Sequence, residues 1–297
     1  MVVGNAAVAG LYGGVAALAG WMGNEKALFF LGLPSLFLTP LFGGFLASFV
    51  WNFAAPRIGQ TVLASLAMTV TGLAGATVLF REGVICLIIV APLYFGIVLA
   101  GALVGRLIFR ADRTRLHLTI FPLLALLAAG EILTREDQVG VVTDEIRIQA
   151  PPDKVWPHIT AFPTIPKPPE FWLFRLGLPY PQATTTEGDF VGARRECIFS
   201  GGAVFKEVIA EIEPEKLLTF DIVELPPDPE LIGHLTPTRG RFTLRDNRDG
   251  TTTLTGDTWY VLHVRPLGYF DWWTHHIFRA VHLRVMEDIR RRAEASF

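Results

Sequence analysis

The first 105 residues carry only five charged side chains: Glu25, Lys26, Arg57, Arg81 and Glu82. A segment that poor in charge has little to offer water, and its apolar runs set what it can become. A helix crossing a bilayer needs roughly 20 consecutive apolar residues. The stretches 2–21, 28–51, 61–80 and 84–109 meet that length, and a fifth, 116–133, is shorter and carries His117 and Glu131 near its ends. The sequence therefore predicts a transmembrane domain over 1–133 with four or five helices. The remaining charge is concentrated beyond it, which predicts a water-facing domain over 139–297 after a short polar linker, TREDQ.

The first run is read as a span rather than a signal peptide. It has no positive leader, and it exceeds the usual apolar length of such peptides. Glycines recur along the spans (Gly10, Gly13, Gly14, Gly72, Gly75, Gly101, Gly105), a pattern that lets helices pack closely and would also serve a homo-oligomer. Pro34, Pro40 and Pro92 are expected to kink their helices. No span has an ionisable residue near its centre, which argues against ion or proton transport. The most basic short loop holds Arg106, Arg110, Arg113 and Arg115, so it is expected on the cytoplasmic side. If 116–133 spans, the C-terminal domain is extracytoplasmic; if that segment lies in the interface, the domain is cytoplasmic. The net charge of −2 offers no basic footprint for nucleic acid. The two cysteines, Cys86 and Cys197, fall in different halves and predict no disulfide framework.

The second half opens with VGVVTDEIRIQA, whose alternation and β-branching predict a strand. The prolines of APPDKVWPHI stop that strand and suit a helix start. Residues 162–183, rich in proline and aromatics, read as a structured loop with one helical turn. Four or five strands follow: DFVGARRECIF, AVFKEVIAEI, KLLTFDIVEL, GRFTLRDN and TTTLTGDTWYVLHV. Ser200-Gly201-Gly202 and Arg248-Asp249-Gly250 supply turns, and PPDPELIGHLTPT a longer loop. A helix over about 269–295 closes the chain. The fold class is α+β: a polytopic helical bundle followed by a curved antiparallel sheet around a long C-terminal helix.

Several short motifs narrow this. Ile148, Ala150, Pro151, Pro152, Val155 and Trp156 form an I-x-A-P-P-x-x-V-W opening. Arg195, Cys197, Phe199, Ser200 and Gly202 form R-x-C-x-F-S-x-G. Thr252, Leu254, Gly256, Thr258, Trp259 and Tyr260 form T-x-L-x-G-x-T-W-Y. His282, Arg284 and Val285 form H-x-R-V. On these residues the half from Val141 onward resembles the START-like (SRPBCC, polyketide cyclase/dehydrase-like) superfamily, and more narrowly its membrane-attached bacterial members of unassigned function. The resemblance implies a helix-grip fold, a location in the bacterial cytoplasmic membrane, and a cavity for a hydrophobic or lipid-like small molecule. It implies no cofactor. A minority of the superfamily are enzymes, so catalysis on a lipid- or polyketide-like substrate is the first alternative, and a non-catalytic membrane assembly module the second.

The candidate cavity residues are Arg195, Glu207, Trp259, Tyr260, His275, Phe278, His282 and Val285. At 100° per residue, Phe278, Val281, Val285 and Ile289 make one apolar stripe, with His275 and His282 on it and His276 turned away. The two inward histidines lie about 10.5 Å apart along the axis, too far to share a zinc without ligands from elsewhere, such as His263 or His234. No metal ligand and no catalytic residue is assigned. Each histidine reads as a bonded core residue, a polar anchor for a ligand or, as His275 or His282, an acid–base group. A three-residue turn at 200–202 would place Arg195 opposite Glu207 on an apolar face. There the pair is structural, or Arg195 binds a ligand carboxylate or phosphate. Arg290–Arg292 suit a helix C-terminus, with lipid headgroups as the alternative partner. Trp272 and Trp273 suit either a bilayer interface or the cavity mouth.

Overall fold

The computed structural model describes residues 40–52, 56–80, 83–111, 137–231 and 233–296. The chain divides into two compact units, Met1–Glu136 and Asp137–Phe297. The expected spans 2–21 and 116–133 lie outside the described residues, and so does the basis for choosing a side of the membrane.

In the N-terminal unit, three helices are described: α1 (40–52), α2 (Ile58–Phe80) and α3 (Val84–Ala111). The stretches Ile58–Thr77 and Val84–Phe109 are each long and apolar enough to cross a membrane. Small residues bring α1 and α3 together. A Cβ at Gly101 would overlap the Leu41 carbonyl, and one at Gly105 would overlap the Ser48 hydroxyl. Asn52 Nδ2 donates to the Phe109 carbonyl at 2.5 Å, tying the same two helices. The three-helix contact buries Trp51, Met68, Tyr94 and Val98. Pro92 sits inside α3.

The C-terminal unit is one antiparallel sheet of seven strands and one long helix. The strands are β1 (Gln138–Ile148), β2 (Pro181–Thr186), β3 (Arg194–Phe199), β4 (Val204–Glu213), β5 (Leu217–Glu224), β6 (Leu235–Asp246) and β7 (Thr252–Leu262). Their order is β1-β7-β6-β5-β4-β3-β2. Every neighbour pair is a consecutive hairpin except β1 with β7, so the first strand closes against the last. Between β1 and β2 run three short helices: α4 (Pro152–Val155), α5 (Pro157–Thr160) and α6 (Trp172–Arg175). Pro157, which lacks an N–H, separates the first two. The final helix, α7 (Leu267–Ala295), lies across the concave face.

Three boundaries differ from the sequence expectation. β2 replaces the end of the expected loop: Pro181 begins it, and as an edge strand it tolerates the missing N–H. The expected strand from Asp189 starts only at Arg194, because residues before it turn through Gly192. β6 reaches back to Leu235 through Pro237, where the register with β7 shifts between Pro237 and Arg239. A bulge at that position accommodates the proline that read as loop.

Strand alternation sets which residues meet α7. On β1, Val142, Asp144 and Ile148 are buried and Ile146 is partly buried, while Thr143, Glu145 and Arg147 between them are exposed. The main core joins Ile148, Val155, Ile159, Ile209, Leu218, Phe220 and Leu254 to Val285, Met286 and Ile289 of α7. A smaller cluster packs Val142, Tyr260 and Leu262 against Phe270 and Phe278, nearer the start of α7. Gly240 has a packing reason. A Cβ there would overlap the ring of Phe220, which lies across β6.

Candidate functional site

Between the middle of α7 and the sheet is a cavity of about 180 Å³. Its floor is apolar, formed by Phe205, Phe220, Ile222 and Phe242, and α7 covers it with Ile277, Phe278, Val281 and Val285. A void of that size is not packing noise, because folded cores leave few gaps larger than a water molecule. Two polar constellations line it.

The first is Arg195 with Glu207. The turn at Ser200–Gly202 uses positive φ at Gly201 (74°) and Gly202 (83°), and Arg195 pairs directly with Glu207 across β3 and β4. Arg195 Nη1 donates to Glu207 Oε2 at 2.7 Å. Its Nε donates to the Thr160 carbonyl at 3.1 Å and its Nη2 to the Ile159 carbonyl at 3.3 Å. The guanidinium sits 4.4 Å from the Phe220 ring centroid. Both side chains are almost fully buried, at 2% and 5% exposure. Arg195 therefore fastens the C-terminal end of α5 to the sheet. Burial pushes the Glu207 carboxyl up to about 6, against the pull of the Arg195 charge and hydrogen bond. Beside it, Cys197 lines the same cavity, and burial together with the Glu207 charge pushes its thiol up to about 12.

The second constellation was not foreseen. His282 Nε2 lies 2.7 Å from the Thr258 hydroxyl on β7, and its Nδ1 lies 2.9 Å from Asp144 Oδ2 on β1. Arg279, one turn earlier on α7, donates to Asp144 Oδ1 at 2.6 Å. Burial works against the Asp144 charge, yet the hydrogen bond and charge of His282, with Arg279, hold its carboxyl below the usual aspartate range. An ionised Asp144 accepts a proton from Nδ1, and Nε2 faces Thr258. The sequence carried a signal for Asp144: an acid at the buried parity of β1, between Val142 and Ile148.

The expected site residues separate. Arg195, Glu207, Phe278, His282 and Val285 line the cavity. Trp259 and Tyr260 are adjacent on β7 and so point to opposite faces. Trp259 stacks under Arg241 at 4.8 Å, beside the Arg241–Asp257 pair. Tyr260 is fully buried and donates its hydroxyl to Asp271 Oδ1 at 2.5 Å, filling the smaller cluster. His275 is half exposed, 3.8 Å from Asp271 and edge-on to Tyr260. The buried stripe at that end of α7 passes instead through Phe270, Thr274 and Phe278. His276 is exposed, as its helical angle predicts, with Nδ1 2.7 Å from the Trp272 carbonyl. His263 is engaged by Thr236 and Asp137. Arg291 and Arg292 both pair with the buried Asp288.

A seven-stranded antiparallel sheet curved around a long C-terminal helix, with a cavity between them, is the helix-grip arrangement of a START-like/SRPBCC domain. The chain belongs to the family described as polyketide cyclase / dehydrase and lipid transport, whose model matches residues 140–293. Solved structures with likeness to this chain include a norcoclaurine synthase point mutant from Thalictrum flavum in complex with a transition state analogue. It is 15% identical with a TM-score of 0.38, over 55% of this chain and 99% of that one. Protein XoxI from Bacillus cereus is 14% identical with a TM-score of 0.37, over 51% and 94%. A Mesorhizobium loti protein is 19% identical with a TM-score of 0.34, over 53% and 99%. A search of the curated proteins finds no significant match.

Proposed function

We propose that the C-terminal unit binds a hydrophobic or lipid-like small molecule in the cavity under α7, and that the apolar helices of the N-terminal unit tether it to a membrane. The observation that carries this reading is the cavity itself: an apolar floor with two placed polar constellations, the usual make-up of a small-molecule site. The family description, which includes lipid transport, supports the same ligand class. Tethering beside a bilayer raises the effective concentration of any amphipathic ligand. The proposed division is a transmembrane domain over 1–133 and a ligand-binding domain over 139–297, in a bacterial cytoplasmic membrane.

The test is lipid extraction and mass spectrometry of the purified full-length chain, beside a Val281→Trp variant that fills the cavity. A discrete apolar species in the wild type, lost from the variant, is the expected result. Identical extracts from the two proteins would count against binding in this cavity.

A second reading, an acid–base enzyme acting on the same ligand class, is favoured by one observation. Thr258, His282 and Asp144 form a hydroxyl–imidazole–carboxylate chain at the cavity wall. On that reading, cells expressing His282→Gln accumulate a species that the wild type consumes. Matching lipid profiles would remove it.

A further inference from the structure

We infer that the ligand is an uncharged molecule bearing a hydroxyl donor, and that the cavity discriminates against anionic head groups; this rests on the binding reading above. The argument begins with the cations that line the cavity, Arg195 and Arg241. Arg195 is committed: Nε, Nη1 and Nη2 are each engaged by Thr160, Glu207 and Ile159, and its charge is matched by Glu207. Arg241 directs Nε and Nη2 to Asp257 and lies over Trp259. Both ring nitrogens of His282 are occupied, by Thr258 and Asp144. The carboxylates of the wall and rim are Glu207, Asp228, Glu230 and Asp257, twice as many as the guanidiniums. A carboxylate, sulfate or phosphate entering here would lose its water, meet no uncommitted cation among the described lining residues, and face Glu207. Burying an unpaired charge is costly in any apolar site.

Two of the groups left facing the cavity are acceptors, one on Glu207 and one on Thr258. Among the described residues Glu207 uses only Oε2, towards Arg195. Whichever of the Thr258 hydroxyl and His282 Nε2 donates in their 2.7 Å bond, the Thr258 oxygen keeps at least one lone pair for a partner. A ligand hydroxyl satisfies such an acceptor without bringing in a charge. Thr258 on β7 and Glu207 on β4 are separated by β6 and β5, roughly 14 Å at the usual strand spacing. Phe220 and Phe242 lie on the floor between those strands and supply the surface for an apolar body.

The experiment uses the full-length chain in phosphatidylcholine nanodiscs with three diazirine-bearing ten-carbon probes: an alcohol, a sulfate and a headless alkane. Saturable labelling, meaning that lost on adding excess decan-1-ol, is mapped by peptide mass spectrometry. The alcohol should label peptides of β4, β5 and α7 at least about tenfold more than the sulfate. Thr258→Val should bring alcohol labelling down to the alkane level and leave alkane labelling unchanged. Sulfate labelling equal to or above that of the alcohol overturns the inference while leaving cavity binding standing. Unchanged alcohol labelling in Thr258→Val overturns the part given to Thr258. If none of the three probes labels cavity peptides, the binding reading fails and the inference falls with it.

Discussion

His282 Nδ1 stands 2.9 Å from Asp144 Oδ2, a bond that joins the last helix of the C-terminal unit to its first strand across 138 residues of sequence. Both side chains are buried, and Arg279 closes the other side of the carboxylate. The bond fixes the rotation of α7 over the sheet and the ring face presented to Thr258.

Asp144→Asn should therefore cost about 2–3 kcal/mol, the scale of hydrogen bonds to a charged group. Most of that arises at the buried His282 contact, because Arg279 is largely solvent-exposed and its pair contributes little. Urea titration followed by tryptophan fluorescence measures it. A variant as stable as the wild type would show that the bond is incidental.

Arg195 and Glu207 should behave as a unit. Arg195→Met leaves a carboxylate in an apolar wall and removes the tie to Ile159 and Thr160, so a loss of about 3–5 kcal/mol is expected. Adding Glu207→Leu should recover a large part of it, because the pair is nearly fully buried and its replacement by apolar groups avoids desolvating two charges. Additive losses in the double variant would contradict the pairing.

The same carboxylate sets a pH dependence. Its folded value, about 6, lies above the ordinary 4.5. The folded state therefore binds the proton more tightly, and the associated stability is fully present below pH 4.5 and is lost as pH rises through about 6. The size is about 2 kcal/mol. Asp144 has the opposite sign: its value is lowered, so its contribution is present above the ordinary 3.8 and is lost as pH falls through the folded value. Stability measured from pH 4.5 to 7 should lose the Glu207 component in Glu207→Gln. An identical pH profile in that variant would reject the shift.

Cys197 should be chemically quiet. With its thiol pushed up to about 12, the reactive thiolate is scarce at pH 8. Maleimide modification of Cys197 in the native chain, read by peptide mass spectrometry, should be at least about 100-fold slower than after unfolding. Comparable rates would mean that the strand opens readily.

Gly240→Ala should disturb the cavity floor without adding charge. The new methyl would overlap the Phe220 ring, which itself lies against Arg195. A cost of about 1–3 kcal/mol from overpacking is expected, with reduced ligand recovery in the extraction experiment. Unaltered stability would show that the ring moves freely.

Much of this was readable from local pattern. Period-two alternation located β1, β4, β5 and β7, and the three-residue turn at Ser200–Gly202 was enough to pair Arg195 with Glu207. What pattern could not supply was the placement of α7. Helical angle puts His275 and His282 on one stripe, yet His282 is buried and bonded to two strands while His275 is half exposed, because the buried face near the start of α7 runs through Phe270 and Thr274. Trp259 and Tyr260 belong to one motif and to two faces. β2 was hidden by its proline and by having a neighbour on one side only.

The sequence by itself determined the division into an apolar half and a polar half, the antiparallel hairpins and the long last helix. These follow from hydrophobic burial and backbone geometry, which act over a few residues at a time. The tertiary structure alone decided that Asp144 meets His282, that Thr258 meets the other ring nitrogen, and that Arg195 is also committed to Ile159 and Thr160. Those partners lie up to 138 residues apart. They become neighbours only when β1 closes against β7 and α7 packs across the sheet, which places the polar groups of distant segments in one desolvated space.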